Sequence, residues 1–485
     1  MIKTASQFLK NIGFNMLADF SAKLANALLI LMLSNFSGIS AMGTYSIAHN
    51  FFSLGLLFSY WGLGNLLIRE VSKEKNNVNK YLSNFAIIRI IFAIIIILAI
   101  NIIAPNLAYS EQTLQAIQII SLSILASTLT NLIFSLFIAF EEIKYLSIIS
   151  LIASLFRLSF SFAALKLGGS IIAIAILYTF VEYLTLLISL TFVSKIGKDF
   201  LPLFDLQFSL KQIIRAFPFF LIALLVVMDS RMEILIISFY LNEIEVGYFT
   251  AMNTIIGGIS LFSEGLRNAI FPIFARYQKI SPTNLKQLNL ILGKYIALIT
   301  FPVAISGFFF AGKLVSILFG SQYGISASLL QIAIWTFISY SFTVVAIRLL
   351  MVNGQENRVV LSLLISGTLS IILNFMLVPR NGIISVAFVR LITSYLLTFL
   401  CLFFTHKLGY PPIQFSVLIK IIMVSIILFL FIFFLKQIGL ILALISGNLI
   451  YLLLVWALHI ISNKDIQLWK GVLRGIFEVS PARKQ

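Results

Sequence analysis

Fourteen ionisable side chains stand inside long apolar runs, where a charge is costly. Nine are basic (Lys23, Arg89, Arg157, Arg231, Arg267, Lys313, Arg348, Arg390 and Lys420) and five are acidic (Asp19, Glu182, Asp229, Glu233 and Glu264). At about 2.5–3.5 kcal/mol per charge at a membrane-helix centre, facing all of them to lipid would cost on the order of 40 kcal/mol. They must pair, snorkel or line water. Arg267, Lys313, Arg348 and Lys420 lie near the ends of their runs, where a long side chain reaches the interface.

The neighbours of the deeper charges are polar at helical spacing. Ser147, Ser150, Ser154, Arg157 and Ser161 recur at steps of three and four, which places them on one face of a helix. Asn11, Asn15, Asp19, Lys23 and Asn26 form a second stripe, and Tyr178, Glu182, Thr185 and Ser189 a third. Thr250, Thr254, Gly257, Ser260, Glu264 and Arg267 form a fourth, while Asp229 and Glu233 sit one turn apart with Arg231 pointing elsewhere. Ser46, His49 or Asn50, Ser53 and Tyr60 mark one more. Uncharged Ser/Thr stripes are commonly packing surfaces, and Asp19–Lys23 also reads as an i,i+4 salt bridge. Stripes centred on charge favour a hydrated central cavity. Its candidate lining is Asp19, Lys23, Arg89, Arg157, Glu182, Asp229, Arg231, Glu233, Glu264, Arg267 and Arg390. Bases outnumber acids there. The arginine fork donates two parallel hydrogen bonds to a phosphate, so the bias leans toward a phosphorylated or acidic cargo over a cationic one. The acids leave two roles open, coupling to a proton or sodium ion and simple pairing with arginine.

Catalytic patterns are missing. His49, His406 and His459 are scattered, Cys401 is the single cysteine, and there is no HExxH, GxxxxGK[ST] or CxxC. No cofactor, metal or ATP site is expected, so the chain reads as no enzyme and its transport as facilitated or ion-coupled.

The elements that must position these charges follow from composition. Of 485 residues, 60% are hydrophobic and 11% charged, against roughly 25% charged in soluble domains. A water-soluble enzyme and a disordered chain are both excluded. The reading is an all-α polytopic membrane protein with about fourteen spans. They are placed at 12–34, 44–66, 82–104, 113–140, 145–165, 171–193, 216–240, 247–271, 294–319, 325–350, 359–379, 383–404, 416–435 and 440–461. The first resembles a signal peptide behind Lys3 and Lys10, but so many runs follow that it reads as an uncleaved span.

Lys and Arg crowd one set of loops, including Arg69, Lys73, Lys75 and Lys80, then Lys195 and Lys198, then Arg276 and Lys279, and the basic tail. The alternate loops hold only Lys166, Arg380 and Lys436. By the positive-inside rule both termini are cytoplasmic. The net charge of +17 is then topological. Nucleic acid is not an expected partner, and the tail suits anionic lipid. The outward loops are short, which leaves no extramembrane domain on that side.

Gly43-Thr44-Tyr45-Ser46 and Gly247-Tyr248-Phe249-Thr250 open two spans at an offset of 204 residues, and neighbouring spans match at the same offset. Two pseudo-repeated six-helix lobes are inferred, with two C-terminal helices appended. The divisions are 1–200, 201–410, 411–462 and a basic tail at 463–485. A parallel repeat places cargo between its halves.

Residues 10–75 carry a further signal. Lys10-Asn11 precedes the first span, Gly38 and Gly43-x-Tyr45 lie between the first two, and Gly62-x-Gly64 leads to Arg69-Glu70. With the turn Val378–Arg390, these features resemble the bacterial polysaccharide flippases, the O-antigen and capsule-unit translocases of the multidrug/oligosaccharidyl-lipid/polysaccharide exporter superfamily. The resemblance implies two lobes around a cavity that opens to either side in turn. It implies a bacterial inner-membrane flippase for an undecaprenyl-diphosphate-linked oligosaccharide (an O-antigen, capsule or exopolysaccharide repeat unit) and polymerase machinery as a partner. It makes Asp19, Lys23, Arg157 and Arg231 natural counterparts of the family's lumen charges. Three alternatives stay open: a peptidoglycan lipid-precursor flippase, a drug or cation antiporter of the same superfamily, and a membrane polymerase or glycosyltransferase.

Overall fold

In lipid, apolar side chains gain nothing by packing against each other, so helices bury small and polar faces and turn branched aliphatics outward. The helix Glu111–Ala139 follows this rule only in part. Its buried residues include Ala116, Ser123, Ala126, Ser127, Thr128 and Ser135, but also Ile117, Ile120, Ile124, Leu132 and Leu136. The helix Val78–Ile103 instead exposes Ile91, Ile94, Ile95, Leu98 and Ile102. The computed structural model describes residues 2–193 and 204–461, and the side chains of all of these except 2–19, 226, 228–230 and 268.

Fifteen α-helices follow in order among the described residues. They are α1 Ile2–Tyr60, α2 Leu63–Lys73, α3 Val78–Ile103, α4 Glu111–Ala139, α5 Ile143–Lys166, α6 Ile171–Val193, α7 Leu206–Tyr240 and α8 Glu243–Ile280. The remainder are α9 Pro282–Phe319, α10 Gly324–Ala333, α11 Thr336–Val352, α12 Glu356–Asn381, α13 Ile384–Lys407, α14 Phe415–Leu435 and α15 Leu440–Ala457. Twelve helices are long and apolar enough to cross a membrane, or thirteen if the bent pair α10–α11 is one span.

The expected fourteen spans therefore need two adjustments. Spans 1 and 2 run as one helical stretch, broken only at Gly38 (φ 87, ψ −174). That backbone angle is cheap for glycine alone. Span 10 is split at Ile334–Trp335 and bent by 47°. Span 2 also ends early. Trp61 (φ 44) and Gly62 (φ 69) are both left-handed, and α2 leaves as a separate short helix.

The chain divides into two units. The first comprises Met1–Ile255, Val315–Ser326 and Gly367–Val386, the second Ile256–Leu314, Ala327–Ser366 and Ala387–Gln485.

In the first unit α1 packs against α3, α4, α5 and α7, and α4 against α6. The Gly62-x-Gly64 motif has a physical cause here. A Cβ on Gly62 would lie 2.6 Å from the Ala216 carbonyl oxygen, and one on Gly64 would lie 2.9 Å from Arg89 Nη2. The turn lets Trp61 stack on Phe220 at 4.4 Å and seats Leu63, Leu66 and Leu67 in a core with Phe85 and Leu136. Gly64→Ala is expected to displace the Arg89 guanidinium and cost about 1–3 kcal/mol. A thermal melt in detergent checks this, and an unchanged midpoint would contradict it.

Arg69 and Glu70 complete the motif. Glu70 Oε1 receives Arg69 at 2.8 Å and lies 3.9 Å from Arg215 of α7. The same helix starts on a side-chain cap, since Asp205 Oδ1 accepts the Phe208 N–H at 2.9 Å. The Asp205 N–H donates to Asn84 at 2.8 Å, and Lys80 stands 3.4 Å away. The Phe208 N–H, and then Lys80, hold the Asp205 carboxyl below its ordinary range. A depressed acid stabilises above its unfolded pKa of about 4 and loses that contribution as pH falls through its folded value. Amide exchange in the first turn of α7, corrected for intrinsic rates, is expected to speed up in that acid window. Asp205→Asn, which still caps, should remove the pH dependence. Equal pH dependence in both proteins would contradict the assignment.

The equivalent glycines of the repeat meet within this unit. A Cβ on Gly43 would overlap the Glu243 carbonyl oxygen, and one on Gly247 would lie 2.5 Å from that of Ile39. Residues 39 and 243 are separated by the same 204 positions as 43 and 247. The contact is therefore reciprocal, and only glycine allows such a close crossing on either side. Glu243 Oε1 fastens it by accepting from the Ser110 N–H (3.1 Å) and Thr113 Oγ1 (3.0 Å). Beside them Tyr109 meets Ser238 at 2.9 Å, and burial pushes the Tyr109 phenol above its usual range.

The second unit carries α14 and α15 on α9. Ala297, Leu298 and Ile305 pack against Ile421, Val424, Leu428 and Tyr451, and Tyr451 Oη donates to the Leu298 carbonyl at 3.1 Å. Beyond the end of α15, Lys420 donates to the Leu458 carbonyl (3.2 Å) and Lys294 to that of Ile460 (3.1 Å). Cations are favoured at such C-terminal carbonyls. The expected basic tail at 463–485 lies outside the described residues.

Candidate functional site

The polar stripes of α5 and α6 fall on the same interior of the first unit. Ser147, Ser154 and Ser161 are buried on α5, and Tyr178, Glu182, Thr185 and Ser189 are buried on α6. Where the stripes cross, Arg157 Nη2 meets Glu182 Oε1 at 2.5 Å. The second carboxylate oxygen accepts from Ser127 Oγ of α4 at 2.6 Å. The guanidinium lies over the Tyr178 ring at 4.8 Å. His49 stands edge-on to Tyr178 at 5.7 Å and stacked on Tyr45 at 5.8 Å, with Phe52 closing the cluster at 5.6 Å from Tyr178.

Such an ion pair draws its worth from desolvation in both directions. Intact, it roughly offsets the cost of burying two charges; broken on one side, it strands the other. Among the described residues Arg157 Nε has no hydrogen-bond partner. The pair thus holds spare donor capacity.

Two further arginines of this unit have no described carboxylate beside them. Arg89 is 2% exposed. Its Nη1 donates to the Thr128 carbonyl at 2.7 Å and its plane covers Tyr60 at 4.9 Å. Arg231 is half-buried on α7, and its backbone carbonyl accepts from Asn50 Nδ2 at 3.2 Å. Among the described residues no carboxylate lies within 4.0 Å of either guanidinium. Glu233 is 5% exposed, two residues beyond Arg231, and Lys23 is exposed. The side chains of Asp19 and Asp229 lie outside the described residues.

In the second unit Glu264 Oε2 pairs with Arg267 Nη2 at 3.2 Å, and Arg390 is half-buried on α13. The candidates thus fall into two sets: Lys23, Arg89, Arg157, Glu182, Arg231 and Glu233 belong to the first unit, and Glu264, Arg267 and Arg390 to the second. The aromatic surround of Arg157 was not among the expected site residues. Tyr45, His49 and Phe52 recur at steps of four and three, so one helical face would have shown it. Among the described residues no group of three or more His, Cys, Asp or Glu side chains could hold a metal ion.

Solved membrane transporters share this fold. A solved structure described as the lipid II flippase MurJ in an inward closed conformation matches 92% of this chain and 99% of its own, with a TM-score of 0.75 at 17% identity. An inward-facing multidrug resistance MATE family transporter matches 80% and 94% of the two chains, with a TM-score of 0.66 at 13% identity. A MOP superfamily transporter from Pyrococcus furiosus, described as having a binding pocket of reversed polarity, matches 83% and 95% at a TM-score of 0.58 and 13% identity. The chain belongs to the polysaccharide biosynthesis protein family, whose sequence profile matches residues 8–278. No curated protein sequence matches it.

Proposed function

We propose that this protein is a flippase that moves an undecaprenyl-diphosphate-linked oligosaccharide, an O-antigen, capsule or exopolysaccharide repeat unit, from the cytoplasmic to the outer leaflet of a bacterial inner membrane. The observation that carries the reading is the pair of arginines Arg89 and Arg231, neither with a carboxylate within 4.0 Å among the described residues, beside an Arg157 paired with Glu182. A diphosphate crossing hydrocarbon needs a substitute for its headgroup water, and preorganised arginine forks supply one. A cationic drug would need the opposite balance.

The side chains that would serve this transport are Asp19, Lys23, Arg89, Arg157, Glu182, Asp229, Arg231 and Glu233 of the first unit and Glu264, Arg267 and Arg390 of the second, while the polyprenyl tail stays in lipid. In this reading the acids couple transport to a proton or a sodium ion. The similarity in fold to the MurJ structure over 92% of the chain favours a second reading, a flippase for the peptidoglycan lipid precursor. Deleting the gene separates the two. Loss of a surface or secreted polysaccharide with normal cell-wall synthesis supports the first reading, and arrest of cell-wall synthesis supports the second.

A further inference from the structure

In the second unit α8 and α11 meet through three side-chain contacts. Phe262 meets Phe337 with ring centroids 6.3 Å apart, Ser263 bonds Ser341 at 2.7 Å, and the Arg348 guanidinium lies over Phe271 at 5.3 Å. Phe271 follows Arg267 by one helical turn on the same face of α8. Arg348, arriving from α11, therefore brings a second guanidinium to the patch that Arg267 already occupies.

One carboxylate serves the two cations. Glu264 pairs with Arg267, whereas among the described residues none lies within 4.0 Å of Arg348. Arg348 Nη1 reaches Met351 Sδ at 3.4 Å, a weak acceptor. The Nε atoms of both arginines have no hydrogen-bond partner among the described residues. Arg267 is about a third exposed at 35% and Arg348 is half-buried, so neither guanidinium is sealed inside the protein. Two guanidiniums brought to one patch repel each other, and an anion with several oxygens relieves that repulsion.

We propose that Arg267 and Arg348 on the α8–α11 face form a binding site for a phosphate or diphosphate group, with Arg348 supplying the fork that Glu264 does not claim. The site deepens, and rests on, the reading of this chain as the carrier of a phosphorylated lipid. The phosphate can come from that cargo or from a bilayer phospholipid.

Titration calorimetry on the full chain in a zwitterionic detergent, with inorganic pyrophosphate as the probe, tests the site. Saturable binding is expected, weakened about tenfold in Arg348→Gln, the size of one lost charge-assisted bond. Arg348→Lys keeps the charge without the fork and should fall between the two. Glu264→Gln frees Arg267 and should tighten binding, a gain that no misfolded variant would produce. Pyrophosphate affinity unchanged in both Arg348→Gln and Glu264→Gln overturns the site and leaves the carrier reading standing. Binding that depends on Arg348 in a protein that flips no lipid-linked oligosaccharide supports the site and overturns the carrier reading. Competition identifies the source: displacement of pyrophosphate mainly by farnesyl diphosphate supports the cargo, and displacement mainly by phosphatidylglycerol supports a bilayer lipid.

Discussion

Glu182→Ala is expected to destabilise the protein by about 3–5 kcal/mol, because it strands the Arg157 guanidinium among Tyr178, Tyr45 and His49 with no counter-charge. Arg157→Met combined with Glu182→Leu should recover most of that loss, since an apolar pair of similar volume incurs no desolvation cost. The double variant separates structure from transport. It is expected to melt near the wild type in detergent yet flip lipid-linked oligosaccharide at less than about a tenth of the wild-type rate, the scale of one lost charge-assisted contact. Normal flipping by a stable double variant would reduce the pair to scaffolding.

Gly43→Val should have an effect of similar size for a different reason. Its side chain would have to occupy the place of the Glu243 carbonyl. The crossing of α1 with α8 must then open, and the bonds from Ser110 and Thr113 to Glu243 are lost with it. Overpacking of this kind costs about 1–3 kcal/mol, and the broken bonds add about 1 kcal/mol each. Gly247→Val should act alike, because the contact is reciprocal. Gly257→Ala is the control. Nothing lies within 4 Å of its Cβ position, and alanine is the better helix former by about 1 kcal/mol. Thermal melts of the three variants check the ranking, and equal midpoints for Gly43→Val and Gly257→Ala would contradict it.

These two sites show what could be read before any coordinates. A step of three or four along one helix is a local property, so the stripes of α5 and α6 announced the buried faces that carry Arg157 and Glu182. The offset of 204 marked Gly43 and Gly247 as equivalents. That the equivalents touch each other could not be read, because a repeat says nothing about which surfaces face the axis relating its copies. Partner choice was hidden for the same reason. Periodicity turns Arg231 to one side of α7 but does not say whether an acid waits there.

Breaks inside apolar runs were equally silent. Gly38 looks like any other membrane glycine until its φ is known. The bend at Ile334–Trp335 has neither proline nor glycine to announce it. Conversely, Pro218, Pro272, Pro302 and Pro379 all lie inside helices, as neighbouring helices in a membrane permit. Arg348 was set aside as a snorkelling residue because it lies near the end of its run. Its place over Phe271 depends on how α11 packs against α8, which no single-helix pattern contains.

The most direct measurement is transbilayer movement of a fluorescent undecaprenyl-diphosphate oligosaccharide in proteoliposomes that hold the purified chain. Arg231→Gln provides the comparison, because it removes a half-buried cation that no described acid requires and should leave the fold intact. The expected result is rapid movement with the wild type and at least a tenfold slower rate with Arg231→Gln at an unchanged melting temperature. No movement with the wild type, or the same rate in both proteins, would contradict the claim that buried arginines carry a phosphorylated headgroup across.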